Sequence, residues 1–154
     1  MGEIRLRGAR KMEAETIYEF GKQFYRRTKY AKAGIEYDYD TVTDFIRWII
    51  DEGVALLALD GKEIVGILLI PVTPFPMNAN VLIATEWVFY TDPDRQQEGI
   101  GRKMLQQAEY MLKLMGVKLF NMVSLSNVTP GVANQLYRDE GFTLAETTFM
   151  KDIQ

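Results

Sequence analysis

The sequence predicts one α/β domain spanning residues 1–154, with a central mixed, mostly antiparallel sheet flanked by helices on both faces. Three observations lead there. In "VALLALDGKEIVGILLIP" two apolar runs flank Asp60-Gly61, a dipeptide that favours a tight hairpin, so two adjacent strands run antiparallel. Farther on, a strand ending near Thr91, a long apolar-periodic segment and the strand "VKLFNMVSL" form a strand–helix–strand unit, which favours a parallel crossover. Finally, 154 residues with 47% hydrophobic content suffice for one sizeable core and are too few for two ordinary domains. A single mixed sheet covered on both sides satisfies all three.

Taken in order, Ile4-Arg5-Leu6-Arg7 alternates and reads as a short strand. From Met12 to about Arg27, Ile17, Phe20, Gly21 and Phe24 recur at helical spacing. A polar, tyrosine-rich link, "YAKAGIEYDYD", follows. Val42, Phe45, Ile46, Ile49 and Ile50 mark a second helix, with Asp40 or Thr41 as its N-cap and Gly53 at its end. After the hairpin, "VTPFPMNAN" reads as a loop, because Pro74 and Pro76 cannot sit in a central strand. Val81 to Tyr90 resumes as one strand. Ile100, Met104, Leu105, Ala108, Met111, Leu112 and Met115 trace one face of a helix stopped by Gly116. Thr129-Pro130 opens a short helix through Leu136 and Tyr137, which Gly141 closes. "FTLAETTFMKDI" alternates as a final strand. The order is β-α-α-β-β-β-α-β-α-β, without repeats or low-complexity tracts.

Composition removes several function classes. A net charge of −3 with no long run of like charge argues against bulk nucleic-acid binding. Cysteine and histidine are both absent, which excludes Ser-His-Asp and Cys-His mechanisms and the common zinc sites. Proton transfer in an enzyme of this composition falls to Glu, Asp, Tyr, Ser, Thr or Lys. "MGEIRLRGARKMEAE" carries charge throughout, unlike a signal peptide, and no segment approaches the ~20 apolar residues of a membrane span. A cytoplasmic protein without membrane partners is the expectation.

The informative stretch is "TDPDRQQEGIGRKMLQQAEYMLKLMG". Gly99 and Gly101 stand at the mouth of a helix beside Arg95, Arg102 and Lys103, where glycine costs helix propensity. A strand, a tight turn and a helix N-terminus together aim unpaired amides and the positive end of the helix dipole at one point, an anion site best suited to phosphate. The alternative is an ordinary strand-to-helix turn with glycines chosen for tight packing. A Walker loop does not fit Gly-Ile-Gly-Arg-Lys-Met, and the third glycine of a Rossmann fingerprint is missing.

Gln96-Gln97-Glu98-Gly99-Ile100-Gly101 matches Q/R-x-x-G-x-G/A, the pyrophosphate loop of the GCN5-related N-acetyltransferase (GNAT) family. "VFYTDP" upstream resembles that family's strand-plus-proline lead-in, and "ANQLYRDEGF" downstream is similar to its A-x-x-L-Y-x-x-x-G-F signature. With the same element order, the resemblance covers nearly the whole chain. It implies an N-acetyltransferase that moves acetyl from acetyl-CoA, as co-substrate, to a primary amine of a small molecule or peptide. Transfer would be direct, with no acetyl-enzyme and no metal. It leaves room for a homodimer.

By resemblance, the strand Phe89-Tyr90-Thr91 would pair with the pantetheine arm through backbone groups of Phe89 and Thr91. Gln96, Gln97, Glu98, Gly99, Ile100 and Gly101, with Arg102, would hold the pyrophosphate. Tyr137 matches the tyrosine near the CoA sulfur that acts as general acid, and Asn127 resembles the asparagine after the fifth strand. Gln97 and Glu98 depart from the family pattern. A carboxylate near a pyrophosphate is repulsive, so either Arg95 and Lys103 compensate for Glu98 or its side chain points away while its amide faces the ligand.

Glu86 is the acidic residue inside "VLIATEWVFY", on one face with Ala84, Val88 and Tyr90. Buried, it is a candidate general base with a raised pKa; facing outward, it is an ordinary solvated glutamate. The resemblance makes "YAKAGIEYDYD" and "TPFPMN" the walls of an acceptor pocket. There Glu36, Asp38 and Asp40, with Tyr37 and Tyr39, could receive a cationic amine, or form a solvated loop. The rival from another class is a non-catalytic CoA-binding or structural module that kept the fold.

Overall fold

The computed structural model describes residues 3–125 and 130–153. Strand β1 (Ile4–Gly8) runs antiparallel to β2 (Val54–Asp60), which turns through Gly61, at φ +60°, into β3 (Glu63–Ile70). A second hairpin, β4 (Val72–Phe75) and β5 (Asn78–Thr85), follows. Immediately after β5, β6 (Val88–Thr91) returns to pair antiparallel with β3. Strand β7 (Leu119–Asn121) joins β5 in parallel, Ile83 opposite Leu119, as the strand–helix–strand pattern requires. The strands thus lie in two sheets, β1-β2-β3-β6 and β4-β5-β7, that share the β5–β6 chain segment.

Helices α1 (Ala14–Tyr25), the single turn α2 (Lys29–Lys32) and α3 (Tyr39–Glu52) precede the sheets; α4 (Ile100–Leu114) and α5 (Pro130–Asp139) come later. Strand β2 is buried from Val54 through Leu59, and its two faces feed two cores. Ala55, Leu57 and Leu59 pack with Ile17 of α1 and with Ile46 and Ile49 of α3. Val54, Leu56 and Ala58 pack with Ile100, Met104, Ala108 and Leu112 of α4. Each fully buried Leu or Ile contributes about 1.5–3 kcal/mol, so the sandwich of β2 and β3 between helix layers is the main source of stability. No helix among the described residues is long and apolar enough to cross a membrane.

The structure differs from the expectations in four places. The predicted strand Val81–Tyr90 is broken at Glu86-Trp87, where pairing passes from β7 to β3. Pro74, predicted in a loop, lies in β4; that strand is at the edge of its sheet, where a missing N–H costs no ladder bond. The N-cap of α3 is Asp38, whose carboxylate accepts from the Thr41 N–H at 2.9 Å, not Asp40 or Thr41. The alternating segment 142–153 forms no strand, and Leu144, Phe149 and Ile153 are 89%, 93% and 82% exposed. Alternation supplies a face but no ladder, and without a paired neighbour a strand does not hold.

One close approach fixes the join between α3 and β2. A Cβ on Gly53 would lie 2.3 Å from the Ile70 carbonyl oxygen, so only glycine lets β2 start flush against the end of β3. Gly53→Ala is expected to cost about 1–3 kcal/mol through forced backbone displacement, read as a lower urea midpoint at unchanged m-value.

Candidate active site

The break between β5 and β6 creates an opening. The Glu86 N–H still donates to the Asn121 carbonyl at 2.9 Å, the last bond to the β7 side. The next amide, Trp87 N–H, donates instead to Leu69 of β3 at 2.9 Å, although Leu69 is in register with Val88. Two residues therefore oppose one, a bulge that swings β6 away from the chain after β7. At the far end of β6 the Asp92 N–H donates to the Val65 carbonyl at 2.8 Å, so antiparallel alternation turns the backbone groups of Phe89 and Thr91 away from β3 and into the opening. The Thr91 carbonyl there accepts from Gln96 Nε2 at 3.4 Å. Tyr90 faces the other way: it pairs with Ile67 and its ring packs against Phe20 and Phe24, so it leaves the predicted cofactor-facing set.

The opening widens into a cavity of about 970 Å³ that reaches the N-terminus of α4. Gly99 caps that helix in the left-handed region at φ +74°, with no side chain closing off the first-turn amides. A Cβ there would meet nothing within 4 Å, so the requirement is conformational. Gly101 serves packing: a Cβ would stand 3.3 Å from the Phe89 ring and 3.7 Å from Leu136 of α5. Ile100 is fully buried and its side chain joins the α4 core. Gln97 lies in the 3₁₀ turn that leads to Gly99.

Two of the three basic side chains near this turn, Arg95 and Arg102, are already engaged. Arg95 bonds Asp60 at 3.0 Å and Glu98 at 3.0 Å, tying the turn to the β2–β3 hairpin. The Glu98 carboxylate is thereby drawn aside, and Arg95 holds its pKa below the usual range. The Arg95 half of the compensation expected for Glu98 is present as this ion pair. Arg95 is thus removed from the anion site. Arg102 lines the cavity but pairs with Glu140 at 2.7 Å and Asp139 at 3.1 Å, at the end of α5.

Glu86 and Tyr137 meet at the vertex. The Glu86 side chain touches the cavity, but its carboxyl is packed round by protein, and burial pushes its pKa up to about 8 against the partial relief of a hydrogen bond from the Val123 backbone. The Tyr137 hydroxyl donates to the Val123 carbonyl at 3.0 Å. Its pKa is raised too, first by burial and then by the Glu86 charge. One residue, Val123, therefore holds both groups through its backbone. No property of a valine side chain signals this in sequence. Nearby, Ser124 Oγ lines the cavity wall buried and without a hydrogen-bond partner among the described residues. Asn127, the remaining predicted residue, lies outside the described residues.

On the other side of Glu86 the cavity runs between α1 and the link before α3, bounded by Phe24, Tyr25, Tyr37 and Trp87 with Glu36 and Asp38. The "TPFPMN" segment, expected as a wall, forms the β4–β5 hairpin and is absent from the lining. Tyr39 packs edge-on against Tyr18 instead of facing the cavity. Phe24 and Trp87 were not distinguishable from core residues by spacing.

A family model described as an acetyltransferase (GNAT) domain matches residues 51–144. No curated protein sequence matches the chain. Among solved structures, a predicted acetyltransferase with acetyl-CoA from Clostridium acetobutylicum superposes with a TM-score of 0.75 at 16% identity, covering 97% of this chain and 96% of the other. An aminoglycoside acetyltransferase from an uncultured soil metagenomic sample gives 0.74 at 14% identity, covering 99% of each. A protein described as a transcriptional regulator from Bacillus halodurans gives 0.73 at 18% identity, covering 97% and 99%. At these identities the likeness is one of fold.

The Glu86 environment makes stability depend on pH in a defined direction. Its folded pKa of about 8 lies above the unfolded value, so its contribution is intact in acid and is lost as pH rises from about 4.5 through 8. Glu86→Gln is expected to gain stability over wild type across that interval, by at most about 1.4 kcal/mol per pH unit, and to match it below pH ~4.5. Urea unfolding of both proteins at several pH values checks this; parallel curves would refute the burial of the carboxyl.

Proposed function

We propose, from the premise that this chain belongs to the GNAT acetyltransferase family, that it transfers an acetyl group from acetyl-CoA directly to a primary amine. The observation that carries the proposal is the opening between β6 and the chain after β7, with Glu86 and Tyr137 both anchored on Val123 at its vertex. The opening suits acetyl-CoA chemically. The free edge of β6 offers the Phe89 and Thr91 backbone to an amide-rich arm, the α4 N-terminus offers amides to a pyrophosphate, and the orphaned Ser124 Oγ lacks a partner that an arm in the opening could supply.

In this reading Glu86 accepts a proton from the acceptor ammonium, and the free amine attacks the thioester carbonyl. The C–N bond forms, the oxyanion is held by a β6 amide facing the opening, the newly bonded nitrogen gives its excess proton to solvent, and the C–S bond breaks. Tyr137 donates to the sulfur as it leaves, and the phenol is restored from solvent. The two steps reinforce each other. Tyr137 resists losing its proton partly because of the Glu86 charge, and that charge disappears once Glu86 has taken the amine proton. The chain has neither a Cys nucleophile nor a His to activate a serine, which favours direct transfer over an acetyl-enzyme. The rival, a CoA-binding module without turnover, draws on Arg95 and Arg102 being tied to carboxylates and not presented to a ligand.

Acetyl-CoA is expected to raise the melting temperature in a concentration-dependent way, which either reading requires. Thiol release with an amine panel then separates them. Turnover should rise with pH along a limb near 8 set by Glu86. Tyr137→Phe should lower kcat about 10²-fold, and Glu86→Gln by a similar factor with loss of that limb. If both variants keep wild-type rates and pH profile, the assigned roles are wrong.

A further inference from the structure

We infer that the acceptor is a polycationic amine, one that presents a second ammonium while the first is acetylated; this rests on the acyl-transfer reading above. The acceptor half of the cavity carries charge of one sign. Glu36 and Asp38 line its outer part and Glu86 its inner end. The only cation on the cavity wall among the described residues is Arg102, at α4 and in ion pairs with Asp139 and Glu140. Basic residues are plentiful nearby, in Arg26, Arg27, Lys29 and Lys32, yet none of them lines the cavity, and Arg27 is bonded to Tyr90. With Arg102 at the α4 end and ion-paired, the charged side chains that line the acceptor half among the described residues are acidic, which favours a positively charged ligand there.

The walls between these carboxylates are aromatic: Phe24, Tyr25, Tyr37 and Trp87. Ring faces attract ammonium groups and repel anions. The wall is also built in advance. Tyr18 and Tyr37 stack with centroids 4.7 Å apart and exchange hydrogen bonds to each other's backbone carbonyls, at 3.2 and 3.1 Å. Tyr25 donates to the Ile35 carbonyl at 2.7 Å, and Asp38 is held by its capping bonds to Thr41. Glu36 and Asp38 are therefore carried on a segment pinned to α1 and α3, so their field is not averaged away by loop motion. Asp38 is kept ionised by the Thr41 donors, which hold its pKa low.

Two charged ends and an aromatic middle match a linear diamine, a polyamine or a multiply aminated sugar. The attacking nitrogen gives up a proton at Glu86 while a second ammonium stays charged between Glu36 and Asp38. Amino acids and acidic peptides would bring a carboxylate against Glu36 and are disfavoured.

The test compares kcat/KM for α,ω-diamines, polyamines and an aminoglycoside with chain-matched monoamines and free amino acids, at low and moderate salt. Polycations should exceed monoamines by about tenfold or more, and the advantage should shrink with salt. In the Glu36→Gln/Asp38→Asn double variant, which keeps an N-cap side chain at position 38, the polycation-to-monoamine ratio should fall toward one through KM. Equal or better use of monoamines or amino acids overturns this inference and leaves acyl transfer intact. An unchanged ratio in the double variant also overturns it. Acetyl-CoA binding without turnover on any amine in the panel overturns acyl transfer itself, and the inference with it.

Discussion

The site depends on a single change of hydrogen-bond partner. At Glu86 the strand is still bound to β7; one residue later it is bound to β3. A continuous ladder here would have fused the two sheets and sealed the gap. The bulge instead turns the outer edge of β6, with the backbone groups of Phe89 and Thr91, toward the opening, where the Thr91 carbonyl is met by Gln96 Nε2. The same residue that marks the switch is the buried carboxylate. The geometry that opens the groove thus also places Glu86 at its narrow end, where burial raises its pKa. Groove and base have one structural cause.

The anion end follows a different logic. Three basic side chains, Arg95, Arg102 and Lys103, suggest a charged clamp, but Arg95 is used to lash the turn to Asp60 and to turn Glu98 aside. In the proposed acetyl-CoA complex, attraction there would draw on the α4 amides and dipole, which Gly99 leaves without a side-chain cap. Arg102 is different again. Its partners, Asp139 and Glu140, directly follow the turn of α5 that carries Tyr137, so α4 and α5 are joined by ion pairs. These pairs are exposed at Arg102 and Asp139 and contribute little stability, yet they tie the start of α4 to the end of α5.

Much of this was legible in the sequence because it rests on local chemistry. Asp60-Gly61 specified the hairpin, and the apolar stripe from Ile100 specified α4, with Gly99 at its mouth. What was not legible depends on partners distant in the chain. The bulge at Trp87 is defined by Leu69 and Asn121, and nothing in "TEWVF" announces it. Pro74 misled because the rule against proline applies to central strands, and sequence alone did not place β4 at an edge. Segment 142–153 misled in the opposite sense: its alternation is real, but pairing is not a property of one segment. Val123 escaped because it acts through its backbone, and Tyr90 was misassigned because adjacent residues of a strand face opposite ways.

The vertex illustrates how a protein lacking histidine can manage protons near neutrality. A free carboxyl and a free phenol ionise far below and far above the working range. Packing one beside the other in a desolvated corner moves both upward, the carboxyl to about 8, where it can take a proton from an amine, and the phenol to where it never loses its own at rest. The charge on Glu86 opposes ionisation of Tyr137, so the phenol is held in reserve while the base is unprotonated. In the proposed transfer, taking up the amine proton would remove that opposition at the moment a departing sulfur needs a donor. Two weakly suited groups thereby gain an order of action, and the backbone of Val123, bonded to both, is what keeps them close enough for the coupling to operate.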